Sequence, residues 1–226
     1  MKRITILAAM HGMETYGIDL YDDFIKEYPA LSKYVQLVIG NERAYHEKVR
    51  FIDADMNRQY ASIEISHESK EIKRVERLIE SFAPDYIIDI HTTKRDSGIF
   101  FISGEMNNVR KNICSVFPYD ICVMKDAVIN TSFIGHHNNA ISLEYSLRSI
   151  SDNTTNIFIK ALSKIINEKT SLNHGKIYST DRLVSKEEWL KYKGIKNYDI
   201  LPEGTALMIP ANNLEMDAEY YGFWCR

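Results

Sequence analysis

The chain has 226 residues, 45% hydrophobic and 26% charged, with a formal net charge of -3 at pH 7. That balance fits one sizeable globular domain of a soluble protein, with room for a small appendage. It offers no overall electrostatic case for nucleic acid or an anionic membrane as partner, so any basic site must be local.

Met1-Lys2-Arg3 precedes only a short apolar run, Ile4 to Met10. The run is too short to span a membrane and lacks the small-residue cleavage pattern of a signal peptide, so it reads as a first strand. Extended runs at 4–9, 34–39 and 86–90 alternate with helical patterns at 18–28 and 68–82, which predicts an α/β domain. In the second helix Ile72, Val75, Leu78, Ile79 and Phe82 recur at helical spacing opposite Lys70, Lys73, Arg77 and Glu80, so its apolar stripe is core. Strands are expected at 98–102 and 140–144, and helices at 107–116 and 154–168. Past Asn173-His174-Gly175 the chain changes to short extended runs between turn signals such as Pro202-Glu203-Gly204-Thr205 and Asn212-Asn213. This predicts a catalytic domain over 1–174 and a short, mostly β subdomain over 175–226. Cys114, Cys122 and Cys225 are widely spaced without a C-x-x-C, so they read as apolar fillers in a reducing cytoplasm. No G-x-G-x-x-G or P-loop pattern suggests a nucleotide.

The strand at 4–9 runs into His11 and that at 86–90 into His91. Both histidines are therefore expected where strands leave the sheet, in the crevice where open α/β sheets bind ligands. Glu14 follows His11 across a turn that Gly12 leaves sterically free. His11, Glu14 and His91 make a ligand set for a catalytic zinc, which typically takes three protein ligands and keeps a fourth position open. Singly, each histidine also reads as a hydrogen-bonded structural residue, and Glu14 as a solvated turn charge. Asp55 and Asp89 are candidates to accept the second ring N–H of a ligand histidine. Glu144 closes an apolar strand and is either a strand-end surface charge or a base that takes a proton from water and returns it to a leaving amine. Arg50, Asn57 and Arg58 are either a surface ion-pair cluster or an anion grip that also faces an oxyanion.

Four segments resemble one branch of the zinc carboxypeptidase superfamily, the succinylglutamate desuccinylase and aspartoacylase family. His11-Gly12-Met13-Glu14 is similar to its H-G-x-E, and Asn41-Glu42-Arg43-Ala44 to its N-P-R-A. Residues 50–58, RFIDADMNR, resemble R-[YF]-[IV]-D-x-D-L-N-R, and Asp89-Ile90-His91-Thr92-Thr93 resembles D-L-H-N-T. The resemblance extends through about residue 145. It implies a three-layer α/β/α domain with a mixed sheet, followed by a β domain that partly covers the active site. It also implies one zinc per chain on His11, Glu14 and His91, with Glu144 as the general base and Arg50 polarising the scissile carbonyl. Asn57 and Arg58 would hold the substrate carboxylate, and Asp55 would support His11. Tyr220 would help to bind substrate, with Tyr221 an equal candidate.

Some residues depart from the family pattern. Thr92 replaces the usual Asn or Gly, and Tyr145-Ser146 follows Glu144. Ile134 to Asn138 lacks the arginine that aspartate-processing members place upstream of the base, and His136 and His137 there are either substrate contacts or loop residues. The C-terminal portion is shorter than usual, so a minimal cover is expected. The reading these features favour is a zinc amidohydrolase acting on an N-acyl amino acid or similar small carboxylate-bearing amide. A zinc carboxypeptidase acting on peptide C-termini and a non-catalytic binding module with the same fold are the alternatives. Nucleic acid and membrane are not expected partners, and neither the acyl group, the amino acid nor the oligomeric state is specified.

Overall fold

The computed structural model of the chain describes residues 1–94, 97–125, 127–169, 175–184, 206–208 and 222–225. Its first strand, β1 (Ile4–Ala8), is buried at every position. A strand covered on both faces needs such a continuous apolar run rather than an alternating one. Strands β2 (Val35–Ile39) and β3 (Tyr86–Thr93) pair with β1 in parallel, and β6 (Ala140–Ser146) pairs in parallel with β3. Strand β4 (Ile99–Ser103) runs antiparallel to β6 and parallel to β5 (Asp120–Val123). Beyond β5 the sheet continues through β7 (Ile177–Val184), and β9 (Gly222–Cys225) pairs antiparallel with both β7 and β8 (Ala206–Met208). The order is β2-β1-β3-β6-β4-β5-β7-β9-β8, a mixed sheet.

Side chains alternate across a strand, so the two faces of this sheet build two cores. On one face Ile4, Ile6, Ile88, Ile90, Ile141 and Leu143 meet Leu20 and Phe24 of α1 (Tyr16–Glu27), Ile113 of α4 (Asn108–Cys114), and Phe158 and Leu162 of α6 (Asp152–Ile166). On the other, Leu7, Val38 and Ile87 meet Val75 and Ile79 of α3 (His67–Phe82) and Phe133 and Ile134 of α5 (Phe133–His136). The result is the expected three-layer α/β/α arrangement. Helix α1 lies close on the sheet because Gly17 has no side chain: a Cβ there would stand 2.8 Å from the Ala8 Cβ and 2.9 Å from the Ile90 Cβ.

Helix α3 shows why the sequence places its ends where it does. Ser66 accepts a hydrogen bond from Ser69 N at 3.0 Å, and Ser69 Oγ accepts one from Ser66 N at 3.0 Å. This reciprocal cap satisfies amides that the first helical turn leaves open. Ala83 ends the helix in the left-handed region (φ 48°), and Pro84 follows.

One expectation is corrected. Strand β3 runs beyond residue 90, because its pairing with β6 continues from Ile87↔Ala140 to Thr93↔Ser146. His91 therefore sits within β3 and Glu144 within β6, side by side, rather than past the end of one strand and at the close of the other. Strand β5, α5 and a short helix at Glu42–Glu47 are also present without having been read from the sequence. Residues 170–174, where the domain boundary was expected, lie outside the described residues. Among the described residues no helix is long and apolar enough to cross a membrane.

Candidate metal and catalytic site

The chain leaves β1 through Ala9, a fully buried alanine in the left-handed region (φ 52°). A non-glycine residue in that conformation costs roughly 1–2 kcal/mol, and such strain is concentrated where a site dictates the path of the backbone. Gly12 then passes against α2 (Glu42–Glu47) so closely that a Cβ would overlap the Ala44 carbonyl and the Tyr45 amide. Glu14 N donates to His11 O at 2.8 Å, closing a turn that brings the Glu14 carboxylate to the His11 ring. His91 arrives from the neighbouring strand, and Thr92 N donates to Glu14 Oε2 at 3.0 Å.

These three residues offer ligand atoms that all lie within 4.8 Å of one another, and all three are buried. His11 Nδ1 is 2.9 Å from Glu14 Oε1, and His91 Nδ1 is 3.0 Å from Glu14 Oε2. Each ring turns its other nitrogen to a different carboxylate: His11 Nε2 is 3.0 Å from Asp55 Oδ1, and His91 Nε2 is 2.8 Å from Asp89 Oδ2. Two imidazoles fixed from behind by carboxylates, with their Nδ1 atoms converging on a third, match the donor set and outer support of a zinc site. The residues fit the ion.

Electrostatics follow from this packing. Burial alone would lower the His11 and His91 pKa values, but the Glu14 charge and Asp55 hydrogen bond at His11, and the Asp89 charge and hydrogen bond at His91, raise both. Burial alone would raise Glu14 and Asp55, yet the His11 charge and hydrogen bonds, aided by His91 at Glu14 and by Arg50 and Arg58 at Asp55, hold both well below the usual carboxylate range. Glu144 is held by charge and burial rather than by hydrogen bonds to the rings, and burial pushes its carboxyl up to about 6 despite the His91 charge. Parallel pairing places it directly beside His91.

The loop between the two ligand segments brings the predicted basic residues to the same place. Arg50 Nη2 is 3.1 Å from Asp55 Oδ2 and 3.0 Å from His11 Nε2, and its Nη1 is 3.4 Å from Glu14 Oε1. A guanidinium only donates, so His11 Nε2 serves Arg50 or Asp55 but not both at once. Asn57 is partly committed elsewhere, since its Oδ1 accepts from Phe133 N at 3.0 Å. Arg58 Nη1 donates to Asn57 O at 2.8 Å.

The two histidines considered as substrate contacts go to structural partners. His136 Nε2 is 2.8 Å from Asn130 O, while His137 Nε2 is 2.9 Å from Glu76 Oε1 of α3 and its ring packs on Phe133. Tyr220 and Tyr221 lie outside the described residues. Sequence reading missed Ser142, whose hydroxyl donates to Asp89 Oδ2 at 3.0 Å. The register pairs Asp89 with Ser142 just as it pairs His91 with Glu144, a signal legible only once the two strands are known to be neighbours.

Residues 1–156 match the family model for the succinylglutamate desuccinylase/aspartoacylase catalytic domain. A probable aspartoacylase of Prochlorococcus marinus subsp. pastoris is 33% identical over 106 residues, which cover 43% of this chain and 36% of that protein. An aspartoacylase of Xenopus tropicalis is 28% identical over 117 residues, covering 45% of this chain and 37% of that protein. The chain thus spans little more than a third of the length of these curated relatives. The crystal structure of a succinylglutamate desuccinylase from Vibrio parahaemolyticus superposes with a TM-score of 0.74 at 15% identity, covering 99% of this chain and 81% of that one. At that identity the likeness is one of fold.

Proposed function

The chain belongs to the succinylglutamate desuccinylase/aspartoacylase family, and from that premise we propose that it is a zinc-dependent amidohydrolase. Its substrate is an N-acyl amino acid or a similar small amide bearing a carboxylate. The observation that carries this reading is the buried convergence of His11, Glu14 and His91 with Glu144 paired beside His91. His11, Glu14 and His91 would hold the ion, and a zinc there supplies a Lewis acid and lowers the pKa of water at its open position to about 7.

The remaining chemistry belongs to the chain's own residues. Arg58 and the amide group of Asn57 bind the substrate carboxylate, which orients the scissile amide. Arg50 offers its guanidinium to the negative charge that develops on the carbonyl oxygen. A Glu144 carboxylate oxygen takes a proton from the attacking water as its oxygen bonds to the carbonyl carbon. The same group returns the proton to the amide nitrogen as the C–N bond breaks, leaving a carboxylic acid, which gives its remaining proton to solvent at neutral pH, and a free amine. Asp55 and Asp89 hold the outer nitrogens of the two histidines so that the inner ones stay aimed. Tyr220 is proposed to contact substrate, the protein to act in the cytoplasm, and the division near residue 174 to separate the catalytic domain from a covering β subdomain.

The test combines metal analysis with a panel of N-acyl amino acids and C-terminal dipeptides, read by release of free amine. One zinc per chain and turnover of N-acyl amino acids support the reading. Turnover of the dipeptides alone would make the protein a carboxypeptidase, and zinc without any turnover would make it a binding module.

A further inference from the structure

Glu68 is the second residue of α3 and is fully buried, although an acidic residue in the first turn of a helix ordinarily points to solvent. Its partners are all amides. Oε1 accepts from Asn41 Nδ2 at 3.0 Å, from Ile52 N at 2.7 Å and from Asp53 N at 3.3 Å. Oε2 accepts from Asp53 N at 3.2 Å and from Ala54 N at 3.2 Å. Three consecutive backbone N–H groups thus wrap one carboxylate, as in the anion-binding concavities that backbone amides form. The clasp is returned from the other side, where Asp53 Oδ2 accepts from His67 N at 2.7 Å. Asn41 also caps α2, accepting from Ala44 N at 3.1 Å.

The residues so fixed are the stem of the loop that carries Arg50, Asp55, Asn57 and Arg58. Asp55 begins one residue after Ala54, the last amide bound to Glu68. Only an acceptor-only group meets donors from every side; a glutamine would turn an N–H₂ toward at least one of these amides and leave buried donors unpaired.

We propose that Glu68 is the positioning residue of the anion-binding loop: its carboxylate sets the path of residues 52–54 and, through them, the placement of Arg58 and Asn57. The inference rests on the roles given to those two residues above.

The test uses the zinc-loaded 226-residue protein and Glu68→Gln. Amide hydrogen exchange across residues 52–54 is expected to speed up by about tenfold or more, while β1 and β3 stay protected and zinc content is retained. KM for an N-acyl amino acid is expected to rise by about tenfold, and by less than about twofold when the same change is made in an Asn57→Ala/Arg58→Ala background, because a residue acting through these two has nothing left to position. Asp53→Ala, which removes the returning half of the clasp at an exposed position, is expected to move exchange in the same direction by less. It decides the matter if Glu68→Gln does not fold. Unchanged exchange at 52–54, or a KM effect of equal size with and without Asn57 and Arg58, overturns the proposal. If the wild-type protein hydrolyses no amide, the functional reading fails, and the exchange contrast alone supports or overturns the role of Glu68.

Discussion

At the scale of single residues, the site is a set of charges that would be costly to bury one at a time and that balance when buried together. Each histidine faces a carboxylate through both ring nitrogens, an arrangement that favours the doubly protonated ring when no metal is bound. A divalent cation would replace the two inner protons without changing the total charge. Zinc uptake is therefore predicted to release up to two protons per ion and to weaken as pH falls from 8 to 6, whereas binding of equal strength at both pH values would contradict the raised histidines. The same shifts fix the stability of the metal-free protein. His11, His91 and Glu144 have raised values in the fold, so the stability they contribute is present at low pH and is lost as pH rises through those values, about 6 for Glu144. Glu14 and Asp55 have lowered values, so their contribution is present above 4.5 and 3.8 and is lost toward stronger acid. The metal-free protein should accordingly melt at a higher temperature at pH 6 than at pH 8.5, and the reverse order would refute this account of the charges. His91→Ala is expected to lose most bound zinc, which full occupancy in metal analysis would disprove.

At the scale of elements, the site depends on how closely backbones approach and on where helices begin. Gly17→Ala would push α1 off Ala8 and Ile90 and is predicted to cost about 1–3 kcal/mol, measurable by denaturant unfolding. Ser66→Ala removes the cap of α3 and should cost about 1 kcal/mol, lowering Tm by roughly 2–4 °C. An unchanged Tm would mean that the first turn of α3 is held by its clasp to residues 52–54 and not by its cap. Elements with a clear pattern were legible from the sequence: the short apolar run that begins at Ile4 reads as a strand, and the stripe from Ile72 to Phe82 as an amphipathic helix packed on a sheet, and both are present. Strand β5, only four residues long, carries too short a pattern to read. The end of β3 was invisible for a different reason, since its continuation through His91 is decided by a partner strand fifty residues away in the chain.

At the scale of the whole molecule, the fold gathers residues far apart in sequence onto one side of the sheet's carboxyl edge. The cluster of His11, Glu14 and His91 and the carboxylates behind its rings were readable because each lies in a short segment with its own chemistry. Ser142 and Glu68 were not, because a strand serine and a first-turn glutamate look ordinary until their partners are known. The mixed sheet and its two helical layers put β1, β3 and β6 side by side, which sets Glu144 next to His91 and His91 next to His11 and Glu14. The central claim is that this assembly hydrolyses amides with Glu144 as the proton carrier. Its most direct test measures free amine released from N-acyl amino acids by zinc-loaded wild-type protein and by Glu144→Gln holding the same zinc. The account predicts turnover by the wild type and a loss of roughly a hundredfold or more in the variant, and equal rates in the two proteins would contradict it.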